Sequence, residues 1–548
     1  MFPEHTTVLV VGGGPVGLLL AGELALQNVD ALVLERHERV RDTPRAGTLH
    51  ARTVQSLLRR GVLRLPAPGR LDLRQRTGFH FAGLPLLTIT SPTAEGPPIL
   101  NQPQSSLEQA FEGRARALGA DVRRGWEVRR LTERPDRVEV EVVGDDGRGR
   151  TLTADWVVGC DGARSTVRER AGFPVTTTEP SFSGVIGLVR LVDPAGAPGG
   201  WARGPEGATL INVNPRGYSR VLTHDFSRPF PDRGRPVTLE ELSTTAARVL
   251  GRELPMRDLV YGSRFSDFTR VADRYRSPGH GRVLLAGDAA HVHAPLGGQG
   301  LNTGLQDAVN LGWKLGLVAR GDAPGELLDS YTDERRAVAR TVVANTRAQA
   351  ALMDPRPQQE PLRAYFGRLM DVPEARAATA DEISGQSIRH SRPGTDPLTG
   401  TFLPNHTFLT PDGPLRTAEL LEDATPLLLL TEDVTTVPGE LLDGWSRDRL
   451  RTVRVGRTDA EGTALGWRAV LCRPDGYLAW AAGGAEPDPA ELAVELARWL
   501  GPARSPAGTP RRPVGPVERS MAERAGSGSG TGGRGPRGAQ DPTLSPTP

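Results

Sequence analysis

The chain has 548 residues, 67 of them basic and 65 acidic, for a net charge of +2. At about 100–200 residues per domain, such a length predicts three or four domains, and the charge balance excludes a broad attraction to nucleic acid or to an anionic membrane. Its two cysteines, Cys160 and Cys472, form no Cys-x-x-Cys pair, which excludes zinc clusters, iron–sulfur clusters and a dithiol centre and fits a cytoplasmic protein.

The run from Val8 to Leu26 is apolar enough to suggest a membrane span, but it contains Gly12, Gly13, Gly14, Pro15 and Glu23. It reads instead as a strand over Val8–Val11, a glycine-rich turn, and a helix with Leu18, Ala21, Leu24 and Ala25 on one face. A second strand, Ala31–Leu34, ends at Glu35 and completes a βαβ unit. Ser105 and Glu108 predict a capping box at the start of a helix that ends at Gly119. Three strands follow, DVRRGWEVRRL, RVEVEVV and LTADWVVGC, with a turn at Asp145–Gly147.

Residues 175–280 carry short strand patterns such as VIGLVRLV and ATLINVN, which predict a sheet that roofs a pocket. A buried strand over Val283–Ala286 leads through a glycine-rich loop into a helix beginning near Asn302 and ending before Gly321. A longer helix covers SYTDERRAVARTVVANTRAQAAL. SRPGTDPLTG reads as a linker to a smaller αβ unit built from LLLLT, VRVG, AVLCRPDGYLAWA and the helix ELAVELARWL. From Gly501 on, the Pro, Gly, Ser and Arg content predicts a disordered tail.

Gly12, Gly14 and Gly17, with Pro15 and Val16 between them, match G-x-G-x-x-G. In that pattern the first glycine permits the tight turn, the second lets a pyrophosphate approach the backbone, and the third lets helix and strand pack. The helix N-terminus adds free N–H groups and a positive dipole end. Gly528, Gly530 and Gly533 repeat the pattern with no strand or helix around it, so context carries the assignment. Glu35 is placed to bond a ribose hydroxyl and would repel a 2′-phosphate, which leaves FAD or NAD for this slot.

The stretch VLLAGDAAHVHAPLGGQGLNTG holds His291 and His293, yet no third ligand follows at a metal-binding spacing, so no metal is expected. Its glycines let backbone lie against a flat group. Asp288 offers an acceptor, and the following helix offers N–H donors and a positive end. A polyol chain joined to a planar ring that becomes anionic on reduction would use all of these.

Three motifs in order, Gly12–Gly17, Asp161-Gly162 within VVGCDGARSTVRERAG, and Gly287-Asp288, carry a resemblance. Over about residues 5–500 the chain resembles the flavoprotein aromatic hydroxylases related to para-hydroxybenzoate hydroxylase, and among them bacterial hydroxylases of aromatic polyketides. The resemblance implies that Glu35 and Arg36 hold the adenosine, Val128 meets the adenine through its backbone, and Arg45 approaches the pyrophosphate. It places Asp161 near the FAD pyrophosphate and NAD(P)H, and Gln104 and Asp288 on the ribityl chain. Pro295 would lie at the reacting face of the flavin, and Gly300, Leu301 and Asn302 would offer backbone to its pyrimidine edge. No residue is assigned as catalytic.

The implied fold is α/β. A Rossmann-like FAD-binding domain (1–175, completed by 281–388) is interleaved with a β-sheet substrate domain (176–280, with part near 75–100). A thioredoxin-like domain without its cysteine pair (389–500) and the tail (501–548) follow. The implied reaction is FAD-dependent monooxygenation with NADPH or NADH, through a flavin C4a-hydroperoxide that attacks an electron-rich ring. A Baeyer–Villiger-type insertion uses the same peroxide and stays open, as does a flavin-binding protein that transfers no oxygen or one that only binds a partner. The expected partners are a small aromatic substrate and O2, with the chain a monomer or homodimer. Phe79, Phe81, Trp201 and His224 are candidates for the substrate pocket.

Overall fold

A computed structural model describes residues 2–41, 43, 46–63, 76–227, 235–392, 394–410, 413–445 and 449–503. Arg45 and the tail beyond 503 lie outside the described residues.

Strand β1 (His5–Val11), helix α1 (Pro15–Leu26) and strand β2 (Ala31–Glu35) form the expected βαβ unit. Helix α2 (Gln104–Ala117) leads into β3 (Asp121–Arg124), β4 (Trp126–Glu133), β5 (Val138–Gly144) and the long β6 (Gly149–Gly159). The strand order is β3-β2-β1-β6-β5-β4. The first half of β6 pairs antiparallel with β5, and its last residues pair in parallel with a later strand, Val283–Leu285. Five parallel strands thus stand side by side, and their Val, Leu and Ala residues are almost wholly enclosed. Continuous apolar runs are what a sheet covered on both faces requires.

The capping box at Ser105 and Glu108 is not formed. Pro103 is the N-cap residue, so the helix begins at Gln104 and Ser105 falls inside it, while Gln104 Nε2 donates to Glu108 Oε1 at 2.8 Å.

A second sheet has five antiparallel strands: β7 (Ser183–Leu191), β8 (Gly200–Gly204), β9 (Gly207–Asn212), β10 (Ser219–Asp225) and β11 (Met256–Ser266), ordered β8-β9-β10-β7-β11. Helix α3 (Leu239–Leu250) covers one face, where Leu242 and Ala246 pack on Val185, Val189 and Val221. Residues one step along each strand point the other way. That second face closes over the first sheet's parallel strand ends. A hairpin of strands Arg76–Phe81 and Leu84–Thr90 flanks it, with Gly83 at φ +75° packed against the Trp201 ring.

After β12 (Val283–Leu285), helix α4 runs from Gln299 to Ala319, one turn earlier than expected, because Gly298 takes the left-handed conformation and starts it. Gly312 and Gly316 let α4 close on α1: a Cβ at Gly312 would lie 2.3 Å from Glu23 Cβ. Helix α5 (Asp329–Met353) packs beside α4.

The C-terminal sheet holds β13 (Leu427–Thr431), β14 (Arg451–Val455), β15 (Ala469–Cys472) and β16 (Leu478–Ala482), ordered β14-β13-β15-β16, with only β13 and β14 parallel. The LLLLT run is explained by two covered faces. Leu428 and Leu430 pack with Trp313 of α4 and Trp499 of the last helix, while Leu427 and Leu429 pack with Phe408 and Leu421.

Candidate functional site

The register of the parallel strands assembles the site. Val11, Gly159 and Leu285 stand in one row, so the turns that follow β1, β6 and β12 emerge together. Backbone bonds lock the row: Gly12 N donates to Leu34 O, Cys160 N to Val11 O, and Ala286 N to Gly159 O. Ligands of open α/β sheets bind at such carboxyl ends, where the strand order switches direction. Motifs separated by more than a hundred residues thereby share one cavity of about 700 Å³.

Gly12, Gly14, Pro15, Val16, Glu35, Arg36, Gln104, Val128, Asp161, Asp288, Pro295, Gly300 and Leu301 all line it. Gly17 and Asn302 do not. Gly17 sits beneath the turn, where a Cβ would lie 2.1 Å from Gly12 O. Asn302 lies on the far side of the first turn of α4 and lines a second cavity of about 550 Å³. Its side chain is a staple: Oδ1 accepts from His50 N at 2.7 Å, and Nδ2 donates to Thr48 O and Gly298 O.

The glycines divide the work. Gly12 has φ +111°, and a Cβ there would meet Cys160 O at 2.4 Å, whereas a Cβ at Gly14 would meet nothing within 4 Å. Gly14 therefore leaves open space in front of α1, whose start has no side-chain cap. Glu35 holds the turn from the other side, accepting from Gly13 N at 2.7 Å and from His37 N at 2.9 Å.

Asp161 accepts from Val167 N through Oδ2, while its buried Oδ1 has no partner. Burial raises its pKa against the hydrogen bonds that lower it. An orphaned buried carboxylate oxygen facing a cavity is costly unless a group outside the protein completes it. Gly300 and Leu301 lie in the first turn of α4, which also has no side-chain cap. Their N–H groups have no partner inside the helix and favour negative charge. Open space at Gly14, two uncapped helix starts and the Asp161 oxygen fit a dinucleotide with an anionic pyrophosphate and a ring that becomes negative on reduction.

His291 is committed elsewhere. Its Nε2 lies 2.7 Å from Asp307 Oδ2, and neither side chain is exposed. His293 lines the cavity with Nδ1 against Ala294 O, and its buried Nε2 is unpartnered. Among the described residues, no three His, Cys, Asp or Glu side chains gather as a metal site.

The roof supplies Phe79, His80, Trp201, Arg220 and His224 to the same cavity. Burial brings His80, His224 and His293 down to about 4, so all three are neutral at pH 7. Phe81 does not reach the cavity: it stacks on Phe366 with ring centroids 5.0 Å apart. Sequence reasoning missed Asn302 as a staple, the Asp307 anchor, and Arg168, which bridges Ala163 O and Ala289 O between two of the motif loops. Only the fold reveals those partners.

Comparison with known proteins agrees with this geometry. Residues 5–346 match the FAD binding domain family, and 396–503 match the aromatic-ring hydroxylase C-terminal family. A 12-dehydrotetracycline 5-monooxygenase/anhydrotetracycline 6-monooxygenase from Streptomyces rimosus is 38% identical over 518 residues, covering 90% of this chain and 99% of that protein. A dialkyldecalin synthase from Streptomyces rugosporus is 37% identical, covering 91% and 99%. The solved structure of an anhydrotetracycline hydroxylase from Streptomyces rimosus superposes with a TM-score of 0.82 at 37% identity, covering 91% of this chain and all of that one. This chain belongs to the aromatic-ring hydroxylases and is an FAD-dependent aromatic monooxygenase.

Proposed function

We propose that the protein uses NADPH or NADH to hydroxylate an aromatic polyketide or a related phenol. One observation carries this reading: a single cavity joins three dinucleotide-type turns to an aromatic roof. In the proposed arrangement Glu35, Arg36 and Val128 hold the adenosine end. Gly14, Pro15, Val16 and Asp161 surround the pyrophosphate, Gln104 and Asp288 the ribityl chain, and Pro295, Gly300 and Leu301 the ring. FAD held by these residues would supply hydride acceptance from a nicotinamide and activation of O2 for transfer of one oxygen atom to the substrate. The chain's own residues bind, orient and keep water out. Uncapped N–H groups at the start of α4 favour the ring's reduced, anionic state.

We read residues 1–175 and 281–388 as the FAD-binding domain, 176–280 as the substrate sheet, and 389–500 as a thioredoxin-like domain. The β14-β13-β15-β16 order supports the last of these. Two free thiols fit a cytoplasmic setting, and no helix among the described residues is long and apolar enough to cross a membrane.

The test is visible absorbance of the purified protein, before and after NADPH, with anhydrotetracycline as probe under 18O2. Flavin bands that bleach, and a product heavier by one 18O atom, are expected. Labelled oxygen inserted beside a carbonyl would favour ring insertion instead. The synthase relative gives a rival its weight: bound flavin with no labelled product from any polycyclic phenol would favour a non-oxygenating role.

A further inference from the structure

The roof of the cavity carries its own recognition chemistry. On β10, Arg220, Leu222 and His224 alternate onto the cavity face, while Val221 and Thr223 turn toward α3. Leu222 pairs with Leu210 across the sheet, and Leu210 pairs with Trp201, so an apolar row crosses the roof beside Arg220. Arg220 is the one charged side chain that the sheet contributes to the cavity lining among the described residues. It makes no hydrogen bond or ion pair with any described residue, and its Nε is buried without an acceptor. Asn212 and Leu188 flank it in register, and Tyr261 is the titratable group that acts on it. Trp201 Nε1 is likewise buried without an acceptor.

Two buried N–H donors, one of them cationic, face the same cavity with nothing to accept from them. Buried donors are normally paired, and a guanidinium is the donor best suited to an anionic oxygen. The histidines beside them are neutral at working pH, so they add no positive charge. An ionised hydroxyl and a separate carbonyl on a flat aromatic body would satisfy the two donors, while its rings lie against Leu210, Leu222 and the Trp201 ring.

We propose that Arg220 is the specificity residue of the substrate pocket, and that it selects fused-ring phenols by taking an ionised hydroxyl oxygen, with Trp201 Nε1 donating to a neighbouring carbonyl. This inference rests on the hydroxylase reading and names the ionisation state of the substrate that the site holds.

The probe is alizarin, a dihydroxyanthraquinone that turns from yellow to red when a hydroxyl ionises. It is titrated into the FAD-loaded enzyme at a pH where free dye is yellow. The wild-type enzyme should bind it and turn it red. Arg220→Gln should bind it at least tenfold more weakly, with bound dye yellow. Arg220→Lys should keep part of the colour change, and Trp201→Phe should weaken binding while leaving the dye red. FAD content and thermal stability of each variant are measured alongside. Red dye in Arg220→Gln, equal affinity for the dimethyl ether, or failure of the wild-type enzyme to take up the dye overturns the inference. So does loss of FAD from Arg220→Gln with dye binding intact, which would assign the guanidinium to the flavin. Oxygenation of anhydrotetracycline by an enzyme that fails these tests leaves the hydroxylase reading standing, whereas absence of flavin removes that reading itself.

Discussion

His291 Nε2 lies 2.7 Å from Asp307 Oδ2 with both side chains fully enclosed. The same Oδ2 accepts from Gly287 N at 3.0 Å, and Oδ1 accepts from Arg335 Nε at 2.7 Å. One carboxylate therefore ties the Gly287-Asp288 turn to α4 and α5. Burial pushes the Asp307 carboxyl up, but His291 and Arg335 outweigh it and hold it below its ordinary value. Asp307→Asn keeps the shape and leaves Arg335 buried without its counter-charge, which costs about 3–5 kcal/mol. The variant should melt well below the wild type and hold FAD more weakly, because its turn has lost its anchor. Thermal unfolding with and without added FAD checks this, and an unchanged melting temperature would sink the anchoring role.

Gly12 and Gly14 should fail differently. Gly12→Ala forces a Cβ to 2.4 Å from Cys160 O at a φ of +111°, so it should damage the fold itself. Gly14→Val meets no protein atom within 4 Å of its Cβ, so it should fold, yet fill the space proposed for the pyrophosphate. Circular-dichroism melts paired with flavin absorbance separate the two. A Gly14→Val protein that purifies fully yellow would remove the pyrophosphate from that position.

The legible part of this protein was the part where chemistry dictates residue type at the end of a strand. Gly12, Asp161 and Asp288 each follow the apolar end of a strand, and parallel pairing brings the three strand ends into one row. Side-chain partners set by tertiary packing were not legible: His291 and Asp307 are sixteen positions apart on different elements, and Arg168 reaches Ala289 O across 121 positions. Phe81 shows how a local irregularity defeats a period-two reading. By alternation it shares a face with Phe79, but the pairing register shifts between them, which turns Phe81 into the Phe366 contact while Phe79 stays on the cavity. The Ser105 cap failed for a similar reason, since Pro103 starts the helix two residues earlier than that cap requires.

Four buried or half-buried histidines give the fold a defined acid lability. His50, His80, His224 and His293 all fall from 6.5 to about 4, chiefly through burial. A base whose folded value is lowered binds more protons when unfolded, so stability decreases as pH falls from 6.5 and stops changing on this account below about 4. Each such group withdraws on the order of 3 kcal/mol across that window. Melting temperature should therefore decline steeply between pH 6.5 and 4, and His224→Gln, which cannot titrate, should flatten the decline. A melting temperature that is constant down to pH 4 would contradict the enclosure of these rings.

The two thiols should be inert in the folded protein. Cys472 lies in β15 with no exposed surface, and burial pushes it up to about 12. Burial, reinforced by Asp161 and Asp307, also holds the Cys160 thiol well above its ordinary range, although Cys160 lines the cavity. The thiolate is the reactive form, so neither should react with an aromatic disulfide reagent at pH 8 until the chain is unfolded, when both should. Stripping FAD should not expose Cys160 to reaction, because the barrier there is ionisation rather than access. Rapid labelling of Cys472 in the folded enzyme would mean that the C-terminal sheet opens, and its thiol would then have to be reconsidered as a redox group instead of a packing residue against Leu427 and Phe408.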